Sequence, residues 1–209
     1  MGYSTDFHGS FSMSRPATEK EKEYINGVSN TRRMKRDVNL LMKKYKGKYG
    51  HPTPKGNTPE EIYGVDGEFY VNPDERDTYG QSNDPSIIDY NTPPGQPGRE
   101  ETKDMQWQEH YAIKQSLIGD GKCVPGLWCH WVIEEPIVDD ETQVLTWDGG
   151  EKFYEYIPWL KYYIKNFFEP WGIKLNGQVT WVGEDNEYMG MIEVVDNVVT
   201  IKIGKVTYQ

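Results

Sequence analysis

Residues 173–203 read IKLNGQVTWVGEDNEYMGMIEVVDNVVTIKI, four short apolar runs separated by polar breaks. The runs at 173–175, 179–182, 191–195 and 198–203 are rich in β-branched residues, which favour a pleated, half-buried surface. Asn176-Gly177 and Asp196-Asn197 stand between them, and both dipeptides suit tight hairpin turns because Asn, Asp and Gly tolerate positive φ. The segment therefore predicts an antiparallel meander. Upstream, Phe153, Ile157, Leu160, Ile164 and Phe168 recur at helical spacing behind Asp148-Gly149-Gly150-Glu151, which has the composition of a helix start. Pro158 in that stretch predicts a kink or a restart.

From Gly126, the residues Leu127, Cys129, Trp131 and Ile133 alternate with Trp128, His130 and Val132, as in a strand covered on both faces. At the other end of the chain Tyr3, Thr5, Phe7, Gly9, Phe11 and Met13 alternate with polar residues, which describes a half-buried strand. Thr18-Glu19-Lys20-Glu21 is a capping box that opens a helix with Tyr24, Ile25 and Val28 on its apolar stripe. Asp37 caps a second helix using Leu40 and Leu41. Strands early, middle and late with helices between them predict an α+β fold, an antiparallel β-sheet with helices packed on one face.

Residues 50–125 differ in character. Eight of the 13 prolines fall between Pro52 and Pro97 among many Gly, Asn and Asp. Only a weak strand at 68–71 and a helix at 104–117 interrupt the turns. The expected organisation is a single α+β domain over 1–209 with 50–125 as a loop-rich insertion, functional or partly disordered.

Thirty-three acidic and 23 basic residues give a net charge of −10. That balance opposes bulk DNA binding and adsorption to anionic membrane. Two cysteines are too few for a disulfide framework, and no apolar run is long enough to span a bilayer, so a cytoplasmic location is expected. The charge is nevertheless segregated. Residues 32–48 hold eight basic side chains and one acidic one, a local +7 that leaves −17 for the rest of the chain. Arginine forks in such a segment can grip phosphate bidentately; the plain alternative is a solvated or self-neutralised face. Trp128, Trp131, Trp147, Tyr154, Tyr156, Trp159 and Trp171 could stack a base, although their spacing suits core filling, which leaves Trp128 as the ring with functional weight.

Other chemistry is poorly supported. Cys123, Cys129, His130 and His110 match no zinc spacing, and alternation sets Cys129 and His130 on opposite faces. The acids Glu134-Glu135, Asp139-Asp140-Glu141 and Glu184-Asp185-Asn186-Glu187 sit where turns are expected. No Walker, dinucleotide-binding, nucleophile-elbow or zinc-protease motif occurs. No catalytic residue, metal or cofactor is assigned, and the reading leans away from an enzyme.

The residues also carry a resemblance. Met1-Gly2-Tyr3-Ser4-Thr5-Asp6-Phe7, Asn30-Thr31-Arg32-Arg33-Met34-Lys35-Arg36-Asp37, Asp89-Tyr90-Asn91-Thr92-Pro93-Pro94, Pro125-Gly126-Leu127-Trp128-Cys129 and Trp147-Asp148-Gly149-Gly150-Glu151-Lys152-Phe153-Tyr154 resemble a family of uncharacterised phage- and prophage-encoded accessory proteins. The resemblance implies a counter-defence binding protein in the host cytoplasm. Its expected ligand is an anionic, nucleotide-like small molecule held without turnover by Arg32, Arg33, Lys35, Arg36, Asn91 and Trp128, in a homo-oligomer. Two alternatives stay open: an inhibitor that binds a host protein through 50–125, and a divergent metal-dependent phosphodiesterase using Asp89 and Asp148.

Overall fold

The computed structural model describes residues 4–72, 85–89, 126–134, 143–153, 155–184 and 188–204. The fold is mixed α+β, with antiparallel sheets and helices packed nearby. The chain divides into two compact units, one built from residues 1–22 and 130–209 and the other from residues 23–129.

The first unit is organised on a six-stranded sheet in the order β4-β5-β1-β6-β7-β8. Its centre is β1 (Thr5–Met13), paired antiparallel with β6 (Leu175–Gly183) from Thr5↔Gly183 to Met13↔Leu175. Thr5, Phe7, Phe11 and Met13 of β1 point inward, as the alternation requires. β4 (Trp131–Glu134) and β5 (Val144–Trp147) extend the sheet beyond β1. β7 (Met189–Val195) and β8 (Val198–Ile203) extend it beyond β6. Phe11, Trp131, Leu145, Leu160, Leu175, Val179 and Ile192 are all buried, and together they mark the core.

The two dipeptides of the meander behave differently. Asp196 and Asn197 hold φ of 48° and 71° between β7 and β8, a two-residue turn closed by Val195↔Val198. Asn176-Gly177, expected as a turn, instead lies inside β6. Gly177 has φ 144°, and a side chain there would strike the Ser10 carbonyl oxygen of β1. The glycine thus serves close approach of two strands. Asn176 Oδ1 meanwhile accepts the Asp196 amide at 2.9 Å.

The apolar helical stripe is present in α4 (Tyr156–Tyr163), and a π-helical segment, Ile164–Phe168, continues it with Ile164, Phe167 and Phe168 buried. The start differs from the expectation. Gly149 and Lys152 have φ of 81° and 64°, which no helix accommodates, so Phe153 is buried ahead of α4 and Asp148 does not cap it. Pro158 is the third residue of α4, where its missing N–H would have had no helical partner.

The box at Thr18 forms as read, at the start of α1 (Glu19–Ser29). Glu21 accepts the Thr18 amide at 2.7 Å, and its own amide donates to Thr18 Oγ1 at 3.3 Å. Arg15 adds a two-pronged contact to the same carboxylate, 2.9 Å on each side. Those donors hold the Glu21 carboxyl below its ordinary pKa, the Arg15 hydrogen bond being the largest cause and burial opposing it. A carboxyl depressed in the folded state stabilises above its unfolded pKa, and that contribution is lost as pH falls through the folded value. Glu21→Gln is expected to cost about 1 kcal/mol at neutral pH, in the range of a lost cap. It should also flatten the stability curve below about pH 4.3, where a free Glu titrates. Urea melts from pH 3 to 7 check both effects.

In the second unit α1 buries Tyr24, Ile25 and Val28. β2 (Lys35–Arg36) pairs with β3 (Ile87–Asp89). α2 (Val38–Tyr45) is capped by Asp37, whose carboxylate accepts the Asn39 and Leu40 amides at 2.9 and 3.2 Å. Leu41 is buried as read, whereas Leu40 is 42% exposed. α3 (Pro59–Tyr63) opens on a full capping box of Thr58 and Glu61 within the stretch read as turns. The strand expected at 68–71 is absent, because the Phe69 and Tyr70 amides turn back to the Tyr63 and Gly67 carbonyls. Leu41, Ile62, Tyr63 and Tyr70 form this unit's buried cluster, with Val38, Met42, Tyr45 and Tyr49 against it. The helix expected at 104–117 lies outside the described residues.

Candidate functional site

Three segments far apart in sequence meet within the 23–129 unit. The Arg33 amide donates to the Leu127 carbonyl at 2.8 Å, and the Asp37 amide donates to the Ser86 carbonyl at 2.7 Å. Between these bonds Lys35 pairs with Asp89 and Arg36 with Ile87 across β2 and β3. The stretches 31–37, 86–89 and 126–129 are thereby joined. They carry Arg32, Arg33, Lys35, Arg36 and Trp128, while Asn91 lies outside the described residues.

The basic segment is divided by depth. Lys43, Lys44, Lys46 and Lys48 are exposed, and the Lys44 and Lys48 ammonium groups sit 4.7 and 4.3 Å from the ring centroids of Tyr45 and Tyr49. Arg33 and Arg36, at 2% and 1% exposed, are instead interior. The Arg36 guanidinium lies 4.8 Å from the Tyr70 ring centroid, a cation–π contact. Arg33 Nη1 donates to the Tyr70 carbonyl at 2.7 Å, so one tyrosine braces both arginines. Lys35 is partly buried with its ammonium 3.9 Å from Asp66, and Arg32 and Trp128 are half-buried.

Arg33 has an unusual electrostatic position. Its Nη2 is sealed from solvent, and among the described residues it has no hydrogen-bond partner and no carboxylate pairs with its guanidinium. Its charge reaches Tyr24, whose hydroxyl donates to the Phe69 carbonyl at 2.9 Å. Burial pushes the Tyr24 phenol well above its ordinary pKa, the Arg33 cation works against that shift, and the Glu68 charge adds to it. An interior cation held by one neutral carbonyl costs several kcal/mol unless a counter-charge is supplied. Chemically, Nη2 is a sealed donor with no acceptor among the described residues, and an anion would reach it only if neighbouring side chains moved aside.

A second arrangement occupies the first unit. His130 Nδ1 lies 3.0 and 3.1 Å from the two Asp148 carboxylate oxygens, and the Gly150 amide donates to Asp148 Oδ1 at 2.7 Å. The His130 ring meets Phe153 edge-on at 5.1 Å. A side chain at Gly150 would collide with the imidazole, so that glycine keeps the pair together. A carboxylate oxygen accepts this contact from an imidazole N–H, the role Nδ1 takes when it carries the proton. The Asp148 carboxylate, expected either as a cap or as a metal or acid–base group, is engaged by these two donors.

The remaining expectations are placed as follows. Cys129 is buried. Glu184 is exposed and accepts the Ser4 amide at 2.7 Å. Cys123, His110, Glu135, residues 139–141 and residues 185–187 lie outside the described residues. Among the described residues no three His, Cys, Asp or Glu side chains are grouped to hold a metal ion, and no helix is long and apolar enough to cross a membrane. Sequence reasoning set Tyr24 on an apolar helix stripe and Tyr70 in a weak strand, and linked neither to the arginines they adjoin. The available signal was the apolar run Phe69-Tyr70-Val71 within the turn-rich region. Comparison of the chain with protein-family models, curated proteins and solved structures finds no match.

Proposed function

We propose that the chain is a binding protein that captures an anionic, nucleotide-like ligand without turnover, and that Arg33 is its charged anchor. One observation carries the reading: a guanidinium that is 2% exposed, with Nη2 unpartnered and no carboxylate beside it among the described residues. A bound phosphate oxygen would supply the missing acceptor and the missing charge together. The joining of 31–37 to 126–129 supports the same reading, because it sets half-buried Trp128 one residue from the Leu127 carbonyl that receives the Arg33 amide. An aromatic face in that neighbourhood can contribute about 1–3 kcal/mol by stacking a base. Counter-defence by sequestration of a nucleotide signal in the host cytoplasm follows from this capture taken with the phage-family resemblance.

Native mass spectrometry of the full chain purified from phage-infected cells, followed by release and identification of bound small molecules, tests the proposal. A stoichiometric nucleotide recovered intact supports it. A ligand-free chain that co-purifies with a host polypeptide overturns it in favour of protein inhibition through 50–125, and a ligand recovered in cleaved form overturns the absence of turnover.

A further inference from the structure

β8 is an outer strand of the six-stranded sheet, and its sequence, Val198-Val199-Thr200-Ile201-Lys202-Ile203, is β-branched at every position but one. None of its residues is buried; Val198 and Ile203 are 67% and 52% exposed. Outer strands normally carry a lysine or a bulge that discourages further pairing. Here the single charged residue is diverted: Lys202 Nζ is 2.8 Å from Glu193 on β7, and Glu193 is in turn held by Gln178 on β6 at 2.7 Å.

The register fixes what this edge, unpaired among the described residues, offers. The two-residue turn makes Val195↔Val198 the closing hydrogen-bonded pair, and bonded and non-bonded pairs alternate from there. The Gly204 amide donating to the Met189 carbonyl at 2.9 Å agrees with that phase. Val198, Thr200 and Lys202 therefore bond to β7, and Val199, Ile201 and Ile203 direct their N–H and C=O groups outward. The same three residues lie on the face of Ile192 and Val194, which are 0% and 1% exposed, so their side chains continue the core face and leave it incompletely covered.

We propose that a second copy of this chain pairs on this edge, β8 against β8 in antiparallel register about a two-fold axis at Ile201. In that register Ile201 faces Ile201, Val199 faces Ile203, and roughly six inter-chain backbone hydrogen bonds form. Lys202 faces Thr200, so no like charges oppose one another. The apolar rows of the two copies become one continuous row. A second copy fits because the strand is its own complement about that axis, and two-fold pairing closes the assembly.

Light scattering on a size-exclusion column gives the test. The full chain should elute at twice its 24.3 kDa mass. Ile201→Pro removes an outward N–H and none of the β7 bonds, so it should yield a folded 24.3 kDa monomer with an unchanged far-ultraviolet circular dichroism spectrum. Ile201→Lys, which sets two ammonium groups on the axis, should do the same. A wild-type monomer at every concentration, a dimer that survives both substitutions, or open filaments would each overturn the proposal.

Discussion

Arg33→Met is expected to weaken capture of the anionic ligand severely while leaving the ligand-free protein as stable as the wild type or more so. The two halves share one cause. Removing a charged partner from a desolvated pair costs about 2–5 kcal/mol of binding, roughly thirty-fold to several-thousand-fold in Kd. In the absence of ligand the same guanidinium is an interior cation whose partner among the described residues is the Tyr70 carbonyl. Replacing buried ion pairs by apolar chains of similar volume is neutral or stabilising by about 1–4 kcal/mol, and relief of a lone interior charge is of the same order, against about 1–3 kcal/mol for the Tyr70 carbonyl left without this donor. A purely structural arginine would give the opposite pattern, a clear loss of stability with binding affected only through unfolding. Urea melts and calorimetric titrations with a nucleotide panel on the same preparations separate the two.

The second large effect is in the other unit. Trp131→Ala should cost about 3–5 kcal/mol, the usual range for emptying an interior aromatic site. The indole is fully buried, with ring centroids 5.8, 5.7 and 5.4 Å from Phe7, Phe11 and Phe153. Its Nε1 donates to the Tyr156 carbonyl at 2.8 Å, tying β4 to the first turn of α4. Deletion removes one of the two hydrogen bonds at that carbonyl, which the Leu160 amide still occupies within α4, so the further loss is about 0.5–1.5 kcal/mol. Against a typical total of roughly 5–15 kcal/mol, the variant should be largely unfolded or close to it. Trp131→Phe keeps most of the apolar volume and should recover most of the loss. Equilibrium urea unfolding followed by circular dichroism measures the series.

Local chemistry made some elements legible and misled on others. The alternation of β1, the Thr18–Glu21 box, the Asp37 cap and the Asp196-Asn197 turn are decided within a few residues, and each appears where its own side chains place it. Asn176-Gly177 has the composition of a turn, but pairing with β1 along the whole of β6 prevails over a two-residue preference. Asp148-Gly149-Gly150-Glu151 has the composition of a helix start, yet His130, eighteen residues away, engages the carboxylate meant for the cap. α3 was hidden because prolines and glycines around it dilute a valid capping box.

The arginine segment was legible as a charge anomaly and not as an interior one. Depth depends on Tyr70, some thirty-five residues downstream, and no periodicity in 31–36 announces that partner. The joining of that segment to 126–129 includes a backbone hydrogen bond from Arg33 to Leu127, which sequence spacing cannot encode. Among its consequences, Arg32, Lys35 and Trp128 remain half-buried at the margin of the site while Arg33 lies within it.

The most direct test of anion capture at Arg33 is isothermal titration of the full chain with a panel of mono-, di- and cyclic nucleotides, run in parallel on Arg33→Met. The account requires saturable, stoichiometric binding of at least one nucleotide by the wild type and its loss by thirty-fold or more in a variant that melts no lower. Equal affinity in the two proteins, or a destabilised Arg33→Met with no ligand in the panel binding the wild type, would contradict it.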